Sequence, residues 1–119
     1  MKITEDKKMN EIIINGETYV RKNNDGLKYV IVRTYSAGVF AGYMESRNGQ
    51  EVVLKDARRL WYWEGAASLS QLAMEGTSKP SQCKFPCEVA RVELLQSIEI
   101  LDVTDIAKKS IQSVDVWKE

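Results

Sequence analysis

Asn48-Gly49 lies between two β-prone runs, Val39 to Arg47 before it and Glu51-Val52-Val53-Leu54 after it. The dipeptide supplies the two φ > 0 residues of a type I′ turn, whose twist matches that of a pair of antiparallel strands. The chain therefore doubles back at its centre. A second pair, Asn15-Gly16, repeats the signal between Glu11-Ile12-Ile13-Ile14 and Glu17-Thr18-Tyr19-Val20, and predicts an N-terminal hairpin. Lys22-Asn23-Asn24-Asp25-Gly26 then reads as a polar linker.

Between the two hairpins, Tyr29-Val30-Ile31-Val32 is a continuous apolar run, as expected of a central strand buried on both faces. Gly42, inside the Val39 to Arg47 run, marks a bulge or a close approach by another backbone. Strict alternation beyond Asn48-Gly49 would put Val52, Leu54, Arg58, Leu60 and Tyr62 on one face and Val53, Ala57, Arg59, Trp61 and Trp63 on the other. Neither set is purely apolar. A bulge near Asp56-Ala57 would resolve the conflict, letting Leu60 and one tryptophan enter the core while an arginine turns outward.

Further on, Ser68 and Gln71 have capping-box spacing, which predicts a short helix from Leu69 to Glu75 closed by Gly76. Thr77 to Pro86 reads as a loop. Extended structure resumes at Pro86 and runs to Val103, with a possible break near Gln96-Ser97. Thr104 is a good N-cap for a last helix through Ile106, Ala107 and Ile111. Trp117 is expected to pack back on the domain. The reading is mainly β: an antiparallel curved sheet or partly open barrel with an N-terminal hairpin and two short helices. Residues 1–26 make a tail and hairpin appendage, and 27–119 a single β-rich domain with a C-terminal helix.

Function has to be sought against several exclusions. With 17 basic and 17 acidic side chains the net charge is zero, so no bulk field favours nucleic acid or an anionic membrane, and an anion site must be local. No apolar run approaches the roughly 18 residues of a bilayer span, and the N-terminus lacks an apolar signal core. The chain is therefore expected to stay in the compartment where it is made. It has no histidine and two cysteines, Cys83 and Cys87. That removes the usual general base and the Ser-His and Cys-His nucleophile pairs. It also leaves no zinc ligand set, so neither metal nor cofactor is expected and the two thiols read as free. The acidic pairs Glu45/Glu51 and Asp102/Asp105 read as solvated charge, and Gly38, Gly42 and Gly49 form no phosphate-loop fingerprint.

What remains is Val52 to Gln71, which holds two of the three tryptophans and the adjacent arginines Arg58 and Arg59. Gly65-Ala66-Ala67-Ser68 precedes the predicted helix, whose N-terminus would offer free N–H donors. Arg58 and Arg59 could hold phosphate bidentately, Trp61 or Trp63 could stack on a base, Gly65 to Ser68 could admit a ligand, and Arg33 could reach in from a neighbouring strand. The plain alternative makes Ser68 a cap, the tryptophans core or subunit interface, and the arginines ion-pair partners. A third possibility is recognition of a protein surface, since Trp, Tyr and Arg are the residues of interface hot spots. An isolated hairpin is marginal in water and a chain of this size has little core to spare, so a homo-oligomer is expected. Its contact would be the N-terminal hairpin or the Trp61 to Trp63 region.

At Lys55-Asp56-Ala57-Arg58-Arg59-Leu60-Trp61-Tyr62-Trp63-Glu64-Gly65-Ala66-Ala67-Ser68-Leu69 the sequence resembles a family of small proteins of tailed bacteriophages and prophages known as a domain of unknown function. The similarity extends from Tyr29 to about Trp117, taking in Val32-Arg33-Thr34-Tyr35-Ser36-Ala37-Gly38-Val39 and Val92 to Val103. The resemblance carries no assigned activity. It implies a phage-encoded accessory protein in the host bacterial cytoplasm, a setting in which non-enzymatic counter-defence factors are common. Such a protein would sequester a cyclic or linear nucleotide signal, or alternatively bind a host defence protein or form a minor virion part.

Overall fold

A computed structural model describes residues 11–14, 17–20, 24 and 26–119. The strands are β1 (Glu11–Ile14), β2 (Glu17–Val20), β3 (Tyr29–Thr34), β4 (Val39–Asn48), β5 (Glu51–Arg59), β6 (Val89–Leu94) and β7 (Ser97–Asp102). The helices are α1 (Leu69–Glu75) and α2 (Asp105–Ser113), with one 3-10 turn at Pro80–Gln82 inside the expected loop. β1 and β2 pair antiparallel as a sheet of their own. Their turn, Asn15-Gly16, and most of the polar linker lie outside the described residues.

β3 to β6 form an antiparallel meander, and β7 returns to pair with β3, giving the order β6-β5-β4-β3-β7. β4 is therefore the middle strand, and β3, expected in that place, stands second from the edge. β3 is nonetheless buried on both faces: Val30 and Val32 join one apolar cluster, Tyr29 and Ile31 the other. β6 and β7 sit at opposite edges of the sheet, yet only Leu95-Gln96 separates them in sequence. A connection this short forces the sheet to curl strongly toward itself. The curl stops short of closure, so the fold is a mainly β, open antiparallel sheet. Its concave face holds Val30, Val32, Phe40, Val52, Leu54, Ala57 and Leu94. The other face packs Ile31, Ala41 and Leu60 against Leu72 and Ala73 of α1, Ile111 of α2 and Phe85 of the connecting loop.

The bulge required by the Val52 to Trp63 pattern is present. Tyr43 pairs with Lys55 and Ala41 with Arg58, so three steps on β5 oppose two on β4. Asp56 takes up the extra residue at φ 49°, the left-handed region. Gly42 lies opposite; a Cβ there would come within 3.0 Å of Ala57 Cα and 3.1 Å of Lys55 O. The bulge reverses the alternation, so Ala57 joins Val52 and Leu54 inside the curl while Leu60 joins the helical layer. Asn24 Nδ2 donates to Asp56 Oδ2 at 2.8 Å and helps hold the turn of chain. Asp56→Val, which places a β-branched residue at φ > 0 and removes this acceptor, is expected to lower stability by about 2 kcal/mol in urea unfolding.

Both helices start where their caps predict. Ser68 Oγ accepts from Gln71 N at 3.1 Å, and Thr104 Oγ1 accepts from Ala107 N at 3.1 Å. The Gln71 side chain reaches one residue further back than a capping box requires, accepting from Ala67 N at 2.7 Å. Gly76 ends α1 as expected, its N–H donating to Leu72 O.

Candidate functional site

The two adjacent arginines part at the bulge. Arg58, 3% exposed, points into the helical layer. Its Nε donates to Pro86 O at 3.0 Å, Nη1 to Ile111 O at 3.0 Å and Nη2 to Phe85 O at 3.1 Å. One guanidinium thus ties β5 to the loop before β6 and to the last turn of α2. Burial pulls its pKa down from the usual arginine value, while Glu88, Tyr29 and Asp115 act to hold the charge. Burial, and secondarily Glu88, pushes the Tyr29 phenol up, so it stays protonated beside this cation.

Arg59 turns to the exposed side, with its guanidinium carbon 4.5 Å from the centroid of the Phe40 ring. The stack is a cation–π contact that leaves the N–H edges open to a partner. Arg33, on the far side of β4, pairs with Glu99 across β3 and β7 at 2.8 Å. It is therefore committed to the sheet surface, two strands from Arg59.

Leu60 is 2% exposed, and the next residue, Trp61, is 64% exposed. Trp63 is half-buried against the helical core. Gly65 has φ 85° and lies against the backbone of residues 77–79, where Ser78 N donates to Gly65 O at 3.2 Å. Ser68 spends its oxygen on the α1 cap, and α1 is only seven residues long. The sequence-predicted residues therefore fall into separate groups: Arg58, Gly65 and Ser68 serve packing and capping, Trp63 lines the core, and Arg59 and Trp61 face outward.

At Tyr62, the residue after Trp61, begins a cluster that sequence spacing could not show. Tyr62 and Lys84 form an antiparallel bridge, Phe85 and Val116 a parallel one, and Trp117 N donates to Phe85 O at 3.0 Å. These short contacts lay segments 62, 84–85 and 116–117 side by side. Lys84 Nζ sits 5.6 Å from the Tyr62 ring and 5.7 Å from the Trp117 ring, so the ammonium is held between two aromatic faces. Tyr62 is 43% exposed and Trp117 44% exposed. Trp117 does pack back on the domain, but as half of this surface and not as a buried anchor. The Tyr62 hydroxyl donates to Glu64 Oε2, which raises its pKa and fixes the ring. The sequence signal was the aromatic triplet; its partners Lys84 and Trp117 are too distant in the chain to be paired by pattern.

Among the described residues, open concavities lie away from this cluster. One of about 460 Å³ is lined by Asn24, Tyr43, Asp56, Glu88, Lys108 and Gln112 among others. Another, of about 370 Å³, lies between the β3–β4 turn and the β6–β7 turn, beside Leu94 and Leu95. Cys83 is buried, with Sγ 3.6 Å from Glu64 O and Lys79 O, and Cys87 is exposed; both are free thiols. Among the described residues no helix is long and apolar enough to cross a membrane.

Neither a curated protein nor a solved structure matches the chain. Residues 27–111, which take in the whole curled sheet and both arginines, match one family. The chain belongs to that family, described as Domain of unknown function (DUF6948).

Proposed function

We propose that this protein is a non-enzymatic binding protein that recognises a protein partner through the aromatic and basic surface of Arg59, Trp61, Tyr62, Lys84 and Trp117. The observation that carries the reading is Trp61, 64% exposed one residue after a fully packed leucine. A tryptophan left in water loses a burial free energy of about 2–3 kcal/mol that a partner would recover. Tyr62, Lys84 and Trp117 add two exposed aromatic rings around one cation, a surface of mixed polarity with residue types of an interface hot spot. The resemblance to phage proteins extends the proposal: the partner would be a host defence protein in the bacterial cytoplasm, or a neighbouring virion component.

A nucleotide sponge is the second reading, and one observation favours it. Arg59 stacks on Phe40 at an exposed position, two residues from an exposed indole. It would bind phosphate on Arg59 and a base on Trp61. Arg58 cannot share the phosphate without releasing three backbone carbonyls.

Trp61→Ala separates structure from recognition. It is expected to change stability by less than about 0.5 kcal/mol, because the indole packs little in the free protein. The same change is expected to abolish capture of a stoichiometric partner from host lysate, and Arg59→Ala to weaken it. Thermal stabilisation by a cyclic or linear nucleotide, lost in Arg59→Ala, would instead establish the sponge.

A further inference from the structure

The cavity of about 460 Å³ is lined by the segment that leads into β3, by β4 and the β5 bulge, and by α2. Its polar side chains fall into two groups. The first is Asn24 and Asp56. Leu27 N donates to Asn24 O at 3.0 Å and Met44 N to Lys28 O at 2.8 Å, so the segment is fixed to β4. Asn24 Nδ2 donates to Asp56 Oδ2 at 2.8 Å. A carboxylate only accepts, so this contact orients the amide and leaves Oδ1 as its remaining acceptor. Oδ1 is buried and has no hydrogen-bond partner among the described residues. The unmatched negative end of the amide dipole therefore adds to the field of the carboxylate that the same side chain touches. Asp56 itself sits at φ 49°. Glycine would serve a bulge there without strain, whereas the aspartate brings a carboxylate to the cavity at a backbone cost.

The second group is Tyr43, Lys108 and Gln112. Gln112 Nε2 donates to Tyr43 Oη at 3.3 Å, and Lys108 Nζ lies 5.6 Å from the centroid of the Tyr43 ring. Tyr43 is held in turn by an edge contact with Tyr29, ring centroids 5.0 Å apart. Lys108 and Gln112 are one turn apart on α2 and share a face. Glu88 adds a second carboxylate to the lining, against the ammonium of Lys108. The lining is therefore net negative and favours a ligand of the opposite sign.

We propose that this cavity binds a small basic amino acid, with a guanidinium or ammonium group on Asp56 and the carboxylate on Lys108. A guanidinium offers paired N–H donors to a carboxylate, and the amino acid as a whole carries the positive charge that the lining lacks. The volume lies within the range of small-ligand sites, roughly 300–1,000 Å³. Both groups of side chains are held by contacts of their own, so little order is lost on binding. The site shares no residue with the aromatic surface, so either reading can fail while the other holds.

The test is calorimetric titration of the full chain with L-arginine and with agmatine, which has the guanidinium and no carboxylate. The wild type should bind L-arginine saturably with a Kd of about 1 mM or tighter, and agmatine more weakly. Asp56→Asn keeps a residue that tolerates the left-handed region and an acceptor for Asn24, so it should fold as the wild type does. It should weaken both ligands by about tenfold or more, the loss of one charge-assisted hydrogen bond. Lys108→Gln should weaken L-arginine and not agmatine. No saturable binding of L-arginine, a folded Asp56→Asn variant that binds it unchanged, or equal losses for both ligands in Lys108→Gln would each overturn the proposal.

Discussion

Arg58→Ala is expected to lower folding stability by about 3–5 kcal/mol, whereas Arg59→Ala, one residue on, should cost less than about 1 kcal/mol. The large value follows from what is left behind. Removing the guanidinium takes a charged donor from the carbonyls of Phe85, Pro86 and Ile111; Phe85 O keeps Trp117 N and Ile111 O keeps Val114 N, while Pro86 O loses its side-chain donor in a layer that water does not readily enter. It also opens a void beside Phe85, whose ring lies 5.6 Å from the guanidinium carbon. Arg58→Lys keeps the charge, yet a single ammonium cannot match three acceptors approached by a planar fork, so a loss of about 2 kcal/mol is expected. Arg59 has only its stack on Phe40 at an exposed position to lose. Urea unfolding of the three variants gives the comparison. Equal losses for the two alanine variants would mean that Arg58 is not the tie between β5, the loop and α2.

The contrast between these neighbours also shows what was legible in the sequence. Asn48-Gly49 announced the β4–β5 hairpin because a two-residue turn is a local event, but the turn is not the type I′ expected. Asn48 ends β4 opposite Glu51, the loop residues are Gly49 and Gln50, and of the two only Gly49 has positive φ, 63°, the place where a type II′ turn needs glycine. The bulge was legible as a contradiction: Val52 and Leu54 could not share a face with Arg58 in a regular strand, so an extra residue had to enter. The pattern asked for one arginine to turn outward, and it could not say which. Arg58's acceptors lie 27, 28 and 53 residues away, and no periodicity connects them. The return of β7 to β3 was equally hidden, since pairing partners are set by sheet curl and loop length and not by the strand's own composition. Lys84 and Trp117 reach Tyr62 through the same long-range closure, which is why the aromatic surface emerged only from the fold.

Gly65→Ala is expected to cost about 3–5 kcal/mol, even though alanine is the smallest change available. Gly65 holds φ 85°, where any side chain is strained. A Cβ there would fall 2.5 Å from Lys79 N, 2.5 Å from Thr77 Oγ1 and 2.7 Å from Ser78 N. Two of these three atoms are backbone and cannot rotate away, so residues 77–79 would have to withdraw and release the Ser78 N to Gly65 O bond. Gly76 is the useful comparison. Its φ is 78°, but the atoms a Cβ would meet first belong to the Ser110 side chain, 2.4 Å away. Gly76→Ala in a Ser110→Gly background removes those side-chain atoms, and should recover about 1–2 kcal/mol of the loss. No single side-chain deletion can do the same for Gly65→Ala, because Thr77→Ala leaves the two backbone nitrogens in place. The measurement also bears on the ligand reading of the turn. If Gly65 were kept open for a bound phosphate, its alanine variant would fold normally and lose only ligand; the close backbone crossing instead requires that stability fall first.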